Sequence, residues 1–206
     1  MVAALGRKGR MTQVYREDGV AVPATEIRLG GCVVVARRSK DKHGYEAVQL
    51  GVGEIPAKQV RKPQAGYFKK AGVAPVRVLR EVRMADASAY APGQAMRAEL
   101  FRLGDVVRVE GRTKGRGFAG GMKRWGWHGG PMTHGGMSKR RIGSVGSGTS
   151  PGRVHRGRTL PGHYGVERVT VRNLRVVKIE PERNVVYVSG AVPGHRDAVV
   201  LLRKDS

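Results

Sequence analysis

Asp105-Val106-Val107-Arg108-Val109-Glu110 runs directly into Gly111-Arg112-Thr113-Lys114-Gly115-Arg116-Gly117-Phe118-Ala119-Gly120, and over these positions the chain changes character. The first six residues alternate weakly around valines, as a half-buried strand does. Of the next ten, four are glycine and three are cations. The glycine-rich, basic composition continues to residue 166, where Glu167-Arg168-Val169-Thr170-Val171 restores a strand-like pattern. Residues 111–166 hold 17 of the 31 glycines, 11 lysines and arginines, both tryptophans and four of the six histidines, and no Asp or Glu. Only Val145, Val154 and Val166 of the 30 valines lie there. The apolar core must therefore be built by residues 1–110 and 167–206. The middle segment is expected to be an excursion inserted between two strands of one domain, mobile on its own and ordered against a partner. Fully extended, such a segment reaches tens of ångströms at about 3.3 Å per residue. A loop of that length without secondary structure is uncommon in a compact domain unless it is functional.

Outward from this junction the flanks read as β. Val14-Tyr15 and Val20-Ala21-Val22 bracket an Asp18-Gly19 turn, a hairpin signal. Cys32–Arg37 and Tyr45–Val52 flank the polar turn Ser39–Gly44, and Val76, Val78 and Val82 mark a run ending at Met84. Beyond the excursion come Leu174–Ile179, a turn over Glu180–Asn184, Val185–Val188 and Ala198–Leu202. One short helix is expected over Pro63–Ala71, ended by Gly72. Regularly spaced short strands favour an all-β barrel or sandwich.

The charge says what such a protein meets. Lys and Arg number 39 against 16 Asp and Glu, a net charge of +23 over 206 residues, and the pI is 11.2. That is the electrostatic footprint of phosphate binding. Arginines outnumber lysines 27 to 12, and the planar guanidinium suits phosphate and base. Neither a basic amphipathic helix nor an apolar run of membrane-spanning length occurs. The opening Met1–Arg7 lacks the apolar centre of a signal peptide. The single cysteine, Cys32, excludes an internal disulfide or a multi-cysteine zinc site. A soluble intracellular protein beside a polyanion is expected.

Several motifs admit a sharper and a plainer reading. Gly115–Gly120 matches GxGxxG, but more glycine follows, and no acid appears until Glu167. That argues against a dinucleotide site and for close backbone approach to phosphate, with Lys114, Arg116, Lys123 and Arg124 supplying charge. His128, His134, His155 and His163 have no compact metal-ligand spacing and no nearby carboxylate, so hydrogen bonding or stacking on RNA is the better reading. Trp125 and Trp127 either form a small satellite core or pack against bases and sugars. Lys139-Arg140-Arg141, in acid-free surroundings, reads as a phosphate cluster rather than a solvated face. Ser144, Ser147, Thr149 and Ser150 lack a carboxylate within the excursion to complete a hydrolytic triad.

At this point the sequence resembles a known family, the universal large-subunit ribosomal proteins conventionally numbered three, in their bacterial form. The resemblance rests on Gly111–Gly120 with Lys123-Arg124-Trp125, Thr133-His134-Gly135, Gly143-Ser144-Val145-Gly146 and Thr149-Ser150-Pro151-Gly152-Arg153-Val154. Gly162, Gly165 and Glu167–Val171 continue it. Gly9–Thr12, Glu17–Gly19, Lys62–Gly66 and Gly190–Gly194 carry it through the flanks.

The resemblance implies a mainly β fold: a translation-factor-type β-barrel with one short helix and a long, basic, glycine-rich extension inserted between two strands. The globule would be residues 1–110 and 167–206. The extension, residues 111–166, would thread between RNA helices toward the peptidyl transferase region, with Lys114–Trp127 lining its stem and Gly143–Arg153 at its tip. The expected RNA-binding residues are Arg112, Lys114, Arg116, Lys123, Arg124, Trp125, Trp127, His128, His134, Lys139, Arg140, Arg141, Ser144, Ser147, Thr149, Ser150, Arg153, Arg156 and Arg158. It further implies a cytoplasmic, ribosome-bound, non-enzymatic protein acting early in subunit assembly, with large-subunit ribosomal RNA and neighbouring ribosomal proteins as partners. No cofactor, metal, membrane, small-molecule substrate or homo-oligomer is implied.

Two features depart from the family pattern. The tip glutamine that is methylated in some members is absent, since Ser147-Gly148-Thr149-Ser150 stands there and no glutamine follows Gln94. Arg108 occupies a position where an acid is often found. On composition alone two rivals stand: a free-standing RNA chaperone or nucleoid-type binder, and a nucleic-acid-modifying enzyme using flank acids such as Glu17, Asp18, Glu26, Glu180 and Glu182.

Overall fold

The structure, a computed structural model, describes residues 2–204, so positions 1, 205 and 206 of the expected domain lie outside the described residues. The chain opens with β1 (Val2–Tyr15) and β2 (Ala21–Arg28). Next come β3 (Val33–Arg38), a helical turn α1 (Lys40–His43), β4 (Ala47–Glu54), helix α2 (Lys62–Ala71) and β5 (Val76–Arg83). After β6 (Val106–Arg112), the middle segment contributes β7 (Phe118–Ala119), α3 (Gly121–Trp125) and β8 (Gly162–His163). The chain ends with β9 (Arg168–Glu180), β10 (Val185–Ser189) and β11 (Val199–Lys204). The protein is mainly β. Two compact units form. One runs to Thr113 and resumes at Arg168; the other is Lys114–Glu167.

In the first unit six antiparallel strands close a barrel in the order β1-β11-β6-β9-β10-β2, with β2 pairing back onto β1. The sequence reading placed every flank strand in one barrel or sandwich. Instead β3, β4 and β5 form a separate three-stranded sheet. One hydrophobic core joins the two: Leu5, Ile27, Val107, Val109, Val186 and Leu202 of the barrel pack with Val34, Val48, Leu50 and Val82 of the sheet. Cys32 lies in this core, its Sγ accepting the Leu5 N–H at 3.3 Å, and burial pushes its thiol up to about 11. Helix α2 covers the other side of the sheet through Phe68, which packs with Val35 and Val76.

Strand β1 is longer than its sequence advertises. The Val14–Val22 and Tyr15–Ala21 pairs close the hairpin anticipated around Asp18-Gly19, but pairing continues back to Val2 against β11. Ala3, Ala4 and Leu5 are small or single apolar residues, yet all are fully buried. Gly6 allows the close approach this needs, because a Cβ there would lie 2.7 Å from the Ile27 side chain. Helix α2 falls where expected and ends on Gly72, in the left-handed region at φ 65°. It is not alone: α1 and α3 add single helical turns of four and five residues.

The entry and exit of the middle segment are neighbours in the barrel. Strands β6 and β9 pair antiparallel from Val106–Arg175 to Arg112–Arg168. Glu110 and Arg168 form an ion pair at 2.6 Å at this end of the ladder. Gly111 and Arg112, read from sequence as the start of the extension, therefore belong to a barrel strand.

Candidate nucleic-acid interface

The second unit is built on backbone contacts that glycine permits. Its base is a two-stranded ribbon in which Phe118 pairs with His163 and Ala119 with Gly162. The ribbon is extended by Arg116 N–H donating to the Tyr164 carbonyl and Tyr164 N–H donating to that of Gly117, both at 2.9 Å. Gly165, at φ 82°, lies so close to the Lys114 carbonyl that a side chain would collide with main chain. The Arg116 guanidinium sits 4.8 Å from the centre of the Tyr164 ring, a cation–π contact.

Beyond the ribbon, α3 carries Lys123, Arg124 and Trp125 and ends on Gly126, which donates to the Met122 carbonyl at 3.0 Å. Trp127 returns onto the first residue of α3: its ring fills the space a Gly121 side chain would take. The two tryptophans differ in their surroundings. Trp127 is half-buried against Gly121, its Nε1 donating to Thr159 Oγ1 at 3.4 Å. Trp125 is exposed, with Nε1 donating to the Leu160 carbonyl at 2.8 Å and the Arg124 guanidinium 4.8 Å above its ring. Arg124 also donates to the Leu160 carbonyl, at 2.9 Å. These contacts span some 35 positions and tie the outgoing chain to the returning one. The segment is therefore more structured than the loop without secondary structure anticipated from composition.

Further along, the Gly130 N–H donates to the carbonyls of Ser138 and Lys139, both at 3.1 Å, folding His134 into a turn at φ 55°. Lys139, Arg140 and Arg141 follow that turn. In the segment 143–153, Ser144 Oγ bonds its own neighbourhood through Gly146, and the Gly152 N–H donates to the Gly148 carbonyl at 3.0 Å. Arg158 reaches back to the Ser144 carbonyl at 2.6 Å.

Of the nineteen residues expected to bind RNA, seventeen are exposed; Arg124 and Trp127 are half-buried. Arg112 lies on β6, apart from the rest, in the barrel unit. Trp127, Arg141, Ser144 and Arg158 come together on one cleft, whereas Lys114, Arg116, His128, His134, Ser147, Thr149, Ser150, Arg153 and Arg156 are not among its lining. Sequence reasoning passed over Phe118 and Met137, exposed at 81% and 88%. Phe118 lay inside the quoted motif, where its isolation among glycines was the available signal. Leu160 and Thr159, which receive the indole and guanidinium donors, carried none. Among the described residues no three His, Cys, Asp or Glu side chains gather as a metal site, and no helix is long and apolar enough to cross a membrane.

The fold thus defines a mainly β protein with a closed barrel and a separate exposed, cation-rich, glycine-built unit. Comparison with known proteins makes the assignment particular. Residues 59–184 match the family model for Ribosomal protein L3. The chain is 49% identical over 200 residues to the large ribosomal subunit protein uL3 of Carboxydothermus hydrogenoformans, covering 97% of this chain and 95% of that one. It is 51% identical over 199 residues to the uL3 of Desulforudis audaxviator, covering 97% and 93%. It is 50% identical over 203 residues to the uL3 of Thermotoga maritima, covering 98% and 97%. The chain belongs to the ribosomal protein L3 family.

Proposed function

We propose that this chain is a non-enzymatic constituent of the large ribosomal subunit, resident in the cytoplasmic ribosome, whose task is to bind and hold large-subunit ribosomal RNA. The observation that carries this reading is the unit Lys114–Glu167. It holds ten lysines and arginines and one acid, Glu167, at its end, and only Ala119, Gly121 and Gly165 are buried. A surface of that composition attracts polyanions strongly and gains affinity from each phosphate it neutralises.

On this reading the barrel, of the translation-factor type, docks and orients, and neighbouring ribosomal proteins complete its surroundings. Residues 114–167 thread between RNA helices toward the peptidyl transferase region, with residues 143–153 innermost. Phosphate contacts position the chain, and the folded RNA supplies specificity through its shape. The length and identity of the match to proteins named for the large subunit support the assignment, as does the absence of any acid between Lys114 and Val166. Binding belongs early in subunit assembly, because a segment that lies between RNA helices must be present before they close.

Sedimentation of a lysate through a sucrose gradient after a high-salt wash tests the proposal. One copy per large subunit, resistant to the wash, is the expected result. Release to the top of the gradient, or spread across all RNA fractions, overturns it in favour of a free RNA binder.

A further inference from the structure

Within the unit Lys114–Glu167 lies a cleft of about 370 Å³ lined by Trp127, Ser138, Arg141, Ser144, Arg158 and Thr159, with glycine backbone between them. We propose that this cleft receives one unstacked nucleotide of the bound RNA, its base against the Trp127 indole and its phosphate on Arg141 and Arg158. The inference rests on the RNA-binding reading above and adds to it a discrete base-sized subsite.

Four observations converge on this ligand. The volume is at the small end of the range for small-molecule sites, about 300–1,000 Å³, which suits one nucleotide and no helix. The wall offers an aromatic plane and two guanidinium groups, and bases stack on both. No Asp or Glu is among the residues that line the cleft, so its wall presents no carboxylate to an anion. Finally, the wall is held in place before any ligand arrives. The Trp127 ring is seated on Gly121, where any side chain would displace it, and its Nε1 is held by Thr159. The Arg158 guanidinium is anchored by the Ser144 carbonyl, and the Arg141 N–H is bonded to the Ser138 carbonyl at 3.3 Å. The Ser138 hydroxyl and the intervening backbone offer hydrogen-bonding groups to a base edge. A bare phosphate would use the arginines and leave the indole idle; an extended duplex backbone would not enter.

The two tryptophans provide the readout. In the full-length protein the indole N–H resonances of Trp125 and Trp127 are distinguished with Trp125→Phe, and the wild-type chain is titrated with adenosine monophosphate and, separately, inorganic phosphate. The expected result is a saturable shift of the Trp127 resonance with the nucleotide, and a much smaller one with phosphate. Arg141→Ala, which leaves the tryptophan in place, should raise the half-saturating concentration about tenfold, within the range of charged contacts to phosphate. Equal shifts with phosphate and nucleotide, or a Trp127 resonance that does not move, overturn the proposal. Because the readout uses mononucleotide, a silent Trp127 in a protein that still sediments with the large subunit removes the subsite and leaves the RNA-binding reading standing. Loss of large-subunit association removes that reading by itself.

Discussion

The barrel unit and the unit Lys114–Glu167 are one chain ordered by two different kinds of physics. In the barrel, order comes from burial. Leu5, Ile27, Leu29, Val34, Val48, Leu50 and Leu202 are almost wholly removed from water, at roughly 1.5–3 kcal/mol for each such side chain. Some of its surface bases are paired with acids, as in Arg28–Glu26 at 2.7 Å, Arg38–Glu81 at 3.1 Å and Lys204–Asp105 at 2.7 Å, although bases still outnumber acids in that unit 29 to 15. In the other unit three small residues are buried, and order comes from backbone bonds at glycine, two indole donors and cations stacked on aromatics. The difference teaches how each unit is ordered: the first has a core of its own, and the second leaves its charges and Phe118, Met132 and Met137 exposed.

The most severe way to break this comparison is to remove one side of it. Because Arg112 and Arg168 are paired, residues 113–167 can be replaced by Asn-Gly, a two-residue hairpin turn. The barrel should still fold, with its melting temperature within about 5 °C of the parent. Affinity for large-subunit RNA should fall on the order of a thousandfold, the scale of six to ten lost phosphate contacts. Retained affinity would locate the RNA surface on the barrel.

A matched pair of substitutions sharpens the contrast. Leu202→Ala, in the barrel core, should lower the stability of the whole barrel by about 2–5 kcal/mol in urea unfolding. Gly121→Leu expels Trp127 from its seat and should leave that urea midpoint unmoved, while amide exchange speeds up across residues 116–130. A common loss from both would mean that the two units share one cooperative transition.

Smaller still is the effect of charge alone. Converting Lys139, Arg140 and Arg141 to alanine should reduce the slope of log affinity against log salt by about 2–3, without altering the fold. An unchanged slope would make these three a solvated face.

The mildest prediction concerns acid. The Glu26 carboxyl is held below its ordinary range by its hydrogen bond from Arg28, with the Arg10 N–H assisting. A depressed carboxylate contributes stability above its unfolded value and loses it as pH falls through the folded one. Wild type should therefore exceed Glu26→Gln in urea midpoint at pH 7, and the gap should narrow as pH falls from about 4.5 downward. A gap independent of pH would assign Glu26 a packing role.

Much of this was legible in the sequence because it is written locally. Strand, turn and helix-stop signals such as Asp18-Gly19, Val185–Val188 and Gly72 depend on near neighbours, and so does the abrupt loss of acid and valine after Glu110. Strand β1 was not legible past Val14. Its Gly6, Arg7, Lys8 and Gly9 lack apolar alternation, and only pairing on both sides makes a strand of them; Lys8 even turns its ammonium inward to the Val192 and Gly194 carbonyls, at 2.7 and 2.9 Å. Composition likewise singled out the exposed cations and aromatics of the segment but not their grouping. Trp127, Arg141 and Arg158 have no shared spacing, and they meet only because Gly121, Gly129 and Gly130 let the chain fold back on itself.

The sequence by itself determined the β class, the approximate place where valine and acid give way to glycine and cation, and the positive charge of that segment, since charge and valine content do not depend on how the chain is threaded. The tertiary structure alone decided that β3–β5 leave the barrel to form their own sheet, that β6 and β9 close side by side at the excursion's root, and that one tryptophan is packed while the other is exposed. Those outcomes depend on contacts between residues tens to nearly two hundred positions apart, and which pairs form is settled by the joint fit of the whole core.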